Sequence, residues 1–289
     1  MNILITGATG FVGKNLLQQL SNKADMQVAA ICRNELTDFK AGNVKFIRTD
    51  LKQKDWLQSV PTDIDVVIYL AQSHRYREFP DGAEDMVHIN EQCVFEMLEW
   101  SRKNNVQKFI FASTGNVYKQ ADKTFVEDDE VYPSSFYAAT KINAENLIAQ
   151  YQKFFKTIVL RIFSVYGAGQ EKMMFPGIID RIKNQQPVTL AKQIGILLSP
   201  IYITDAVTAI EKLITTEIES GVYNLAGNKI VSLADVIKII ENKLGITAIA
   251  TVTEDNPGSL TASGKKLYKA INFIPQIEIE EGISKTIDG

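Results

Sequence analysis

The sequence contains few of the residues that form disulfide frameworks and metal sites. Its 289 residues include only two cysteines and two histidines. The spacing of Cys32 and Cys93 fits no metal-binding motif, and a disulfide framework needs more cysteines. We therefore expect no metal site and two reduced thiols, as in cytoplasmic proteins.

Long apolar runs and basic clusters are also missing. No stretch approaches the roughly 18 apolar residues of a membrane span, and the opening MNILITGATG lacks the basic segment of a signal peptide. The 31 basic and 34 acidic residues give a net charge of −3, and no basic run is long enough to contact nucleic acid. These absences predict a cytoplasmic protein with neither a membrane nor a nucleic acid as its partner.

What is present is a globular composition, with 45% hydrophobic residues, and an alternation of strand and helix patterns. Runs such as DVVIYLA and KFIFAS are apolar on both faces, which is typical of a parallel sheet covered on both sides. The alternation therefore predicts an α/β fold, a Rossmann-type doubly wound parallel sheet. The predicted strands are Ile3–Thr6, Gln27–Cys32, Lys45–Arg48, Val66–Leu70, Lys108–Ala112 and Thr157–Ile162. The predicted helices are Gly13–Leu20, Glu84–Asn104 and Tyr137–Phe154.

After Gly167 the alternation becomes less regular. A short helix is predicted near Pro176–Asn184, and the tail from Ala248 to Gly289 is expected to mix short strands and turns. Clearer elements are predicted at Asp205–Thr215 (helix), Gly221–Leu225 (strand) and Leu233–Leu244 (helix, ended by Gly245). We expect a dinucleotide-binding domain from 1–167 and 203–230, interwoven with a smaller substrate-binding lobe from 168–202 and 231–289 that covers the carboxyl edge of the sheet.

The string TGATGFVG, from Thr6 to Gly13, directly follows the first strand and opens a helix. Gly7 permits a tight turn, Gly10 lets the backbone approach a pyrophosphate, and Gly13 lets the helix pack close to the strand. The first helical amides then face the phosphates. The segment predicted to bind the pyrophosphate is Gly7, Thr9, Gly10, Phe11, Val12 and Gly13.

The end of the second strand distinguishes NAD from NADP. An acidic residue there would bind the ribose hydroxyls of NAD, but this chain has Cys32 followed by Arg33. An arginine can pair with the additional 2′-phosphate, which favours NADP, although Arg33 could equally be a solvated loop residue. Asp50 is a candidate for the adenine contact. Further dinucleotide contacts are predicted at Leu51, Leu70, Ala71, Gln72 and Ile162.

Tyr137 and Lys141 form the predicted catalytic pair. Their spacing places them on one helix face, one turn apart, with Ser134 or Ser135 as the helix cap. A free phenol has a pKa of about 10, and a nearby ammonium favours its ionised form. Such a phenolate takes a hydroxyl proton while hydride leaves the same carbon for a nicotinamide. Thr114, just past the strand KFIFA, is expected at the carboxyl edge of the sheet, where its hydroxyl shares the substrate oxygen.

Five motifs occur in order: TGATGFVG, FASTGNVY, YAATK, RIFSVYGAGQ and YNLAG. Together they resemble the extended short-chain dehydrogenase/reductase family, the NAD-dependent epimerase/dehydratase group, over nearly the whole chain. The resemblance implies Thr114, Tyr137 and Lys141 as the catalytic triad, and it places Ala71 and the Asn90 region near the nicotinamide. It also implies a homodimer formed by the helices around 84–104 and 137–154. Most relatives act on nucleotide-linked sugars.

Departures from the family pattern concern the substrate. Dehydratases carry an acidic pair directly after the catalytic threonine, whereas this chain has Gly115 and Asn116, which argues against dehydration. Where relatives have an asparagine and an arginine for the nucleotide phosphates, this chain has Ser164 and Leu198, which leaves the carrier of the sugar open. His74, Arg75 and Arg77 in the loop after the fourth strand, or Lys172 and Lys192, could compensate, or each could be a solvated charge. The candidate substrate-binding residues are His74, Arg75, Asn116, Ser164 and Tyr202.

Three functions are compatible with these observations. The first is a nucleotide-sugar epimerase that removes and returns hydride without net turnover of the cofactor. The second is a reductase that consumes NADPH on a 4-keto-sugar or another carbonyl. The third, a regulator that binds NAD(P) without chemistry, ranks last because both Tyr137 and Lys141 are present.

Overall fold

The computed structural model describes residues 1–34, 39, 41–119 and 121–289. The chain divides into two compact units. The first unit comprises Met1–Lys119, Glu130–Arg161 and Val207–Tyr223. The second unit comprises Gln120–Asp129, Ile162–Ala206 and Asn224–Gly289.

Strands and helices alternate along the first half of the chain, as the sequence predicts. The strands of the described residues are β1 (Asn2–Thr6), β2 (Gln27–Cys32), β3 (Val44–Arg48), β4 (Val66–Tyr69), β5 (Lys108–Thr114), β6 (Thr124–Phe125), β7 (Lys156–Ile162), β8 (Val165–Tyr166), β9 (Val188–Ala191), β10 (Leu197–Leu198), β11 (Ile201–Tyr202), β12 (Gly221–Leu225), β13 (Val231–Ser232), β14 (Ala250–Thr253) and β15 (Ser259–Ala262). The six strands predicted before residue 167 are all present, with ends within two residues of the predicted ones.

The helices cover most of the intervening chain. Those of the described residues are α1 (Phe11–Leu20), α2 (Ala83–Val87), α3 (Cys93–Lys103), α4 (Phe136–Gln150), α5 (Met174–Lys183), α6 (Ile203–Thr215), α7 (Leu233–Leu244), α8 (Lys265–Ala270) and α9 (Ile279–Asp288). The predicted helix 84–104 is interrupted by a π-helix at His88–Gln92, which joins α2 to α3. Across the described ranges, no helix is both long and apolar enough to pass through a bilayer.

Seven strands form a parallel sheet in the order β12-β7-β5-β4-β1-β2-β3. The four residues of β4 are all buried, as are Ile3, Leu4 and Ile5 of β1. Burial on both faces explains why these strands are continuous apolar runs rather than alternating ones. The observed sheet confirms the predicted Rossmann-type fold class.

The helices of the first unit bury one stripe each. Helix α1 buries Gly13, Leu16, Leu17 and Leu20, a spacing that faces one side of a 3.6-residue helix. Helix α4 begins at Phe136 and is preceded by Ser135, whose side chain accepts a hydrogen bond from the amide of Ala138. Ser135 is therefore the N-cap among the two predicted serines.

Among its described residues, the second unit contains small sheets, the helices α5, α7, α8 and α9, and the first residues of α6. One sheet has the order β13-β10-β15-β6. Two further sheets have two strands each, β11 with β8 and β14 with β9. Helix α7 starts with a capping box between Ser232 and Asp235 and ends at Gly245 in the left-handed conformation, as predicted.

The prediction of strands and turns for the tail is incomplete, because α8 and α9 lie within it. Gly282 makes α9 difficult to predict from the sequence, since glycine disfavours a helix interior. In the structure a Cβ at this position would lie 2.1 Å from the hydroxyl oxygen of Tyr166. The glycine is therefore required by close packing against Tyr166 and does not mark a turn.

Candidate active site

The glycine turn after β1 is built by contacts that leave no space for side chains. Gly7 has φ +69°, and a Cβ there would lie 2.6 Å from the amide nitrogen of Ala71. A Cβ on Gly13 would lie 2.2 Å from the carbonyl oxygen of Gly7. The first turn of α1 therefore packs directly on the turn, as the glycine pattern predicts.

The N-terminus of α1 suits an anion. Gly10 is the N-cap, no side chain caps the helix, and no acidic residue lies in its first turn. Thr9 and Gly10 are exposed, whereas Phe11 and Val12 are half-buried. Unpaired first-turn amides and the positive end of the helix dipole favour phosphate groups at this place. These features fit the pyrophosphate of a dinucleotide.

The turn also lies at the topological switch point of the sheet. Strand β1 has β2 on one side and β4 on the other, and the chain continues outward in opposite directions from this pair. Directly after β4, the amide of Leu70 donates to the carbonyl oxygen of Thr6 at the end of β1, at 3.2 Å. The amide of Ala71 donates to Oγ1 of the same threonine, also at 3.2 Å. Ligands of open α/β sheets bind outside the carboxyl ends of the strands at such a point.

The residues predicted for the adenosine half lie at the ends of the next strands. Arg33 follows the last residue of β2 and is exposed. Asp50 is half-buried after β3, and its Oδ1 accepts a bond from the amide of Lys52 at 3.0 Å. The carbonyl of Leu51 accepts a bond from the Cys93 thiol at 3.2 Å. Cys32 and Cys93 are both buried and free, and burial raises the pKa of the Cys93 thiol to about 12.

The three residues predicted as catalytic meet at the carboxyl end of β5. Thr114 is the last residue of that strand, and its Oγ1 accepts a bond from the amide of Asn116 at 3.2 Å. Tyr137 and Lys141 are one turn apart in α4. The Thr114 hydroxyl is hydrogen-bonded to the Tyr137 side chain, while the Tyr137 hydroxyl donates to Oε1 of Gln72 at 2.8 Å.

Lys141 is more deeply buried than the sequence suggests. Only 1% of its surface is exposed, and its Nζ donates to the carbonyl of Ala112 at 2.8 Å. The same ammonium lies 4.7 Å from the ring centroid of Phe111 and 6.0 Å from that of Tyr137. Burial lowers the pKa of Lys141 to about 7, against the opposing effect of Glu145.

The protein by itself does not show the lowered phenol pKa that the spacing of Tyr137 and Lys141 predicts. Burial raises the pKa of Tyr137 above its ordinary value, with a smaller opposing effect from the Thr114 hydrogen bond and a further increase from Tyr76. Burial penalises the charged form of each group, so it disfavours both the phenolate and the ammonium. The phenolate of Tyr137 thus requires additional positive charge beside the phenol.

A chain of buried polar contacts, not recognised in the sequence, holds the loop after β4. Ser73 donates from its hydroxyl to Asp85, and its amide donates to Oδ1 of Asn90 at 3.1 Å. Asn90 in turn donates to Oγ1 of Thr140 at 2.9 Å. Lys52 forms an ion pair with Asp85. Asn90 belongs to the π-helix, a feature that often marks functional sites, and only its approximate region was predicted.

Aromatic side chains of the same loop pack against the first turn of α4, which carries the phenol. The ring centroids of Tyr76 and Tyr137 are 5.3 Å apart, and those of Phe79 and Phe136 are 4.9 Å apart. Of the predicted substrate-binding residues in the first unit, His74 and Asn116 are exposed. Arg75 donates to Oε2 of Glu78 at 2.6 Å. The loop after β4 therefore combines an apolar surface with cationic side chains.

The remaining predicted residues belong to the second unit. Ile162 is half-buried at the end of β7, and Ser164 has φ 35° with its carbonyl accepting a bond from the amide of Ile201. Tyr202 is only 5% exposed and packs edge-on against Tyr166, with centroids 5.4 Å apart. Leu198 is buried in β10.

The sheet and the glycine turn at its switch point define a Rossmann-type α/β protein. More particularly, the chain belongs to the NAD-dependent epimerase/dehydratase family, whose model matches residues 3–226. Protein CapI from Staphylococcus aureus is 28% identical, with 100% of this chain and 98% of that protein covered. The dTDP-4-dehydro-6-deoxyglucose reductase of Escherichia coli is 26% identical, with 99% and 96% covered. The UDP-glucuronic acid 4-epimerase of Bacillus cereus, solved in complex with UDP-glucuronic acid and NAD, has a TM-score of 0.90 at 27% identity, with 100% and 98% covered.

Proposed function

We propose that the chain is an NAD(P)-dependent enzyme of the nucleotide-sugar epimerase type that transfers hydride to and from a sugar carbon, with Tyr137 as its acid and base. The observation that carries this proposal is the position of the Tyr137 hydroxyl, which is bonded to Thr114 at the end of β5. The carboxyl ends of the strands are where ligands bind in this fold, and the glycine turn lies at that edge. The Bacillus cereus relative is an epimerase with NAD, which supports the assignment.

The chain's own residues supply the proton chemistry. A bound nicotinamide dinucleotide supplies the hydride acceptor and donor. Tyr137 removes the proton of the reacting hydroxyl in the oxidative direction and returns a proton to the carbonyl oxygen in the reductive one. Thr114 donates a hydrogen bond to the phenol oxygen, which favours the phenolate. Lys141, charged below about pH 7, adds positive charge beside the pair.

The alternative is a reductase that consumes NADPH on a 4-keto-sugar or another carbonyl. The Escherichia coli relative is named a reductase, and in this chain burial raises the pKa of Tyr137, which favours the neutral, proton-donating phenol. Purified protein should be tested for bound dinucleotide, then mixed with UDP-sugars, and separately with NADPH and keto-sugars. Sugar interconversion without change in nicotinamide absorbance supports the epimerase, and steady NADPH loss supports the reductase. Bound dinucleotide with neither reaction would favour the non-catalytic regulator.

NADP(H) is the dinucleotide we propose. Arg33 is exposed directly after β2, and the last residue of that strand is Cys32 rather than an acid. A guanidinium there is suited to a 2′-phosphate, whereas the ribose hydroxyls of NAD would be bound by an acid. Because the Bacillus cereus relative contains NAD, the dissociation constants of NADPH and NADH decide the matter. A preference for NADH would end this role for Arg33.

A nucleotide-linked sugar is the substrate class supported by the relatives' names. The family resemblance implies an arginine for the diphosphate at position 198, and here a buried leucine stands in its place. We therefore expect polar and charged side chains of the loop after β4, His74 and Arg75 among them, to contact the anionic part of the substrate. A panel of UDP-, dTDP- and unphosphorylated sugars would identify the carrier.

A homodimer is proposed on the helices of the first unit. Val87 at the end of α2 is 41% exposed and Phe95 in α3 is 46% exposed. Large apolar side chains exposed on one helical stretch are typical of helix–helix interfaces. Sedimentation equilibrium of the wild type and of Phe95→Lys tests this: a dimer that becomes monomeric supports it, and a monomeric wild type contradicts it.

A further inference from the structure

We propose that Gln72 is a positioning residue for the reaction: it is the resting hydrogen-bond acceptor of the Tyr137 hydroxyl and holds this group in its proton-donating form. The sequence assigns Gln72 only to dinucleotide binding. The inference rests on the proposed function of Tyr137, and it deepens that function by stating which partner the phenol has before a substrate oxygen arrives.

The contacts of the Tyr137 hydroxyl give it two partners with opposite effects. The hydroxyl donates to Oε1 of Gln72, with 2.8 Å between the two oxygens, while the Thr114 hydroxyl donates toward the phenol oxygen. A bond donated to the oxygen favours the phenolate, whereas an acceptor for the phenolic proton favours the neutral phenol. Gln72 therefore opposes Thr114, and the phenol is set to give a proton rather than to take one.

The backbone around Gln72 is fixed on both sides. The preceding amide, of Ala71, donates to Oγ1 of Thr6 at 3.2 Å, and the following amide, of Ser73, donates to Asn90 at 3.1 Å. The Ser73 hydroxyl also binds Asp85, which is 8% exposed. The side chain of Gln72 itself is exposed. Anchored backbone with an exposed side chain allows the amide to turn away when a substrate oxygen replaces it.

Among the described residues, two titratable groups face the phenol. Lys141 comes from the same helix, with Nζ at 6.0 Å from the ring centroid, and Tyr76 comes from the loop after β4, with its ring at 5.3 Å. Strand β5 contributes the neutral Thr114 hydroxyl. Lys141 favours the phenolate and Tyr76 disfavours it, so neither replaces the neutral acceptor that Gln72 provides.

The test is a titration of Tyr137 that needs no substrate. Protein labelled with 13Cζ-tyrosine is followed by NMR from neutral pH upward, with the Tyr137 resonance assigned by its loss in Tyr137→Phe. In Gln72→Met, which keeps the chain length but removes the acceptor, we expect about three- to tenfold more phenolate than in the wild type at the highest pH where circular dichroism shows an intact fold. Gln72→Glu keeps an acceptor and should show no more phenolate than the wild type.

Gln92→Met is the matched control, because the Gln92 side chain binds His88 and Glu96 and not the phenol. It should leave the Tyr137 resonance unchanged. Equal phenolate in Gln72→Met and wild type overturns the proposal. Dinucleotide binding, measured by NADPH fluorescence in the wild type, is a separate readout. Failure to bind NADPH or NADH would count against the proposed function, while the titration would still report on Gln72.

Discussion

Replacing Lys141 by methionine would remove a buried ammonium from the first unit. The side chain is 1% exposed, and its Nζ donates to the carbonyl of Ala112 at 2.8 Å. Burial lowers the pKa of Lys141 from 10.5 to about 7. The variant removes the charge while retaining a chain of similar length, so it should be more stable than the wild type and inactive, as is common for functional residues that compromise stability.

The expected change in the free energy of unfolding follows from the lowered pKa of Lys141. A lowering of about 3.5 units corresponds to a cost of about 5 kcal/mol when the amine is charged, at about 1.4 kcal/mol per unit. Leaving the Ala112 carbonyl without this donor costs about 1–3 kcal/mol. Lys141→Met should therefore gain about 2–4 kcal/mol in free energy of unfolding near pH 6.

The gain should depend on pH in a defined direction. Because the folded-state pKa of Lys141 is lowered, the unfolded chain binds more protons between the folded value of about 7 and 10.5. Wild-type stability therefore rises with pH through this window, and near pH 9 the burial cost has fallen to about 2 kcal/mol. There the loss of the Ala112 bond roughly cancels the gain, so the two proteins should have similar stability.

Urea unfolding followed by circular dichroism, at about pH 6 and about pH 9 without dinucleotide, measures both effects. Lys103→Met is the matched control: Lys103 is an exposed lysine at the end of α3, and its removal should give no comparable trend with pH. A Lys141→Met protein that is less stable than wild type near pH 6, or whose difference from wild type is the same at both pH values, would refute the reasoning.

Three further substitutions test the site. Tyr137→Phe keeps the ring against Tyr76 but removes the hydroxyl, so turnover should fall at least about 100-fold while the dinucleotide dissociation constant stays similar; full activity would exclude Tyr137 from the reaction. Gly13→Ala places a Cβ 2.2 Å from the Gly7 carbonyl, so fluorescence titration should show NADPH affinity at least about tenfold weaker and thermal unfolding a lower midpoint. Unchanged affinity would contradict the close packing of α1. Arg33→Ala should weaken NADPH about 10- to 100-fold and NADH little, and equal losses would indicate no contact with the 2′-phosphate.

Features encoded locally were predictable from the sequence. Strands buried on both faces are continuous apolar runs, so β1, β4 and β5 could be found without knowledge of the fold. Thr114 could be placed at the carboxyl edge because it ends such a run. The closeness of Gly7 and Gly13 also follows from their spacing, since a strand, a turn and a helix leave one arrangement without clashes.

Features that depend on distant contacts were not predictable. Ser73 and Asp85 are joined only because the loop after β4 folds back on α2. The role proposed for Gln72 depends on α4, which lies 65 residues further along the chain. The raised pKa of Tyr137 likewise comes from burial, which spacing does not show. Helix α9 was missed because the partner that requires Gly282 is Tyr166 in a distant segment.

The π-helix at His88–Gln92 sets the orientation of side chains on two different faces of the helical segment. In an uninterrupted α-helix, Val87 and Phe95 would be separated by about 80° around the axis. The wider turn absorbs one additional residue, which brings these two side chains to within about 20° of each other. If the same residues formed a regular α-helix, Phe95 would turn away by about 100°, and Asn90, which binds Ser73 and Thr140, would also be reoriented. The outward apolar stripe and the inward amide therefore depend on one helical irregularity, and losing the wider turn at constant length would alter both.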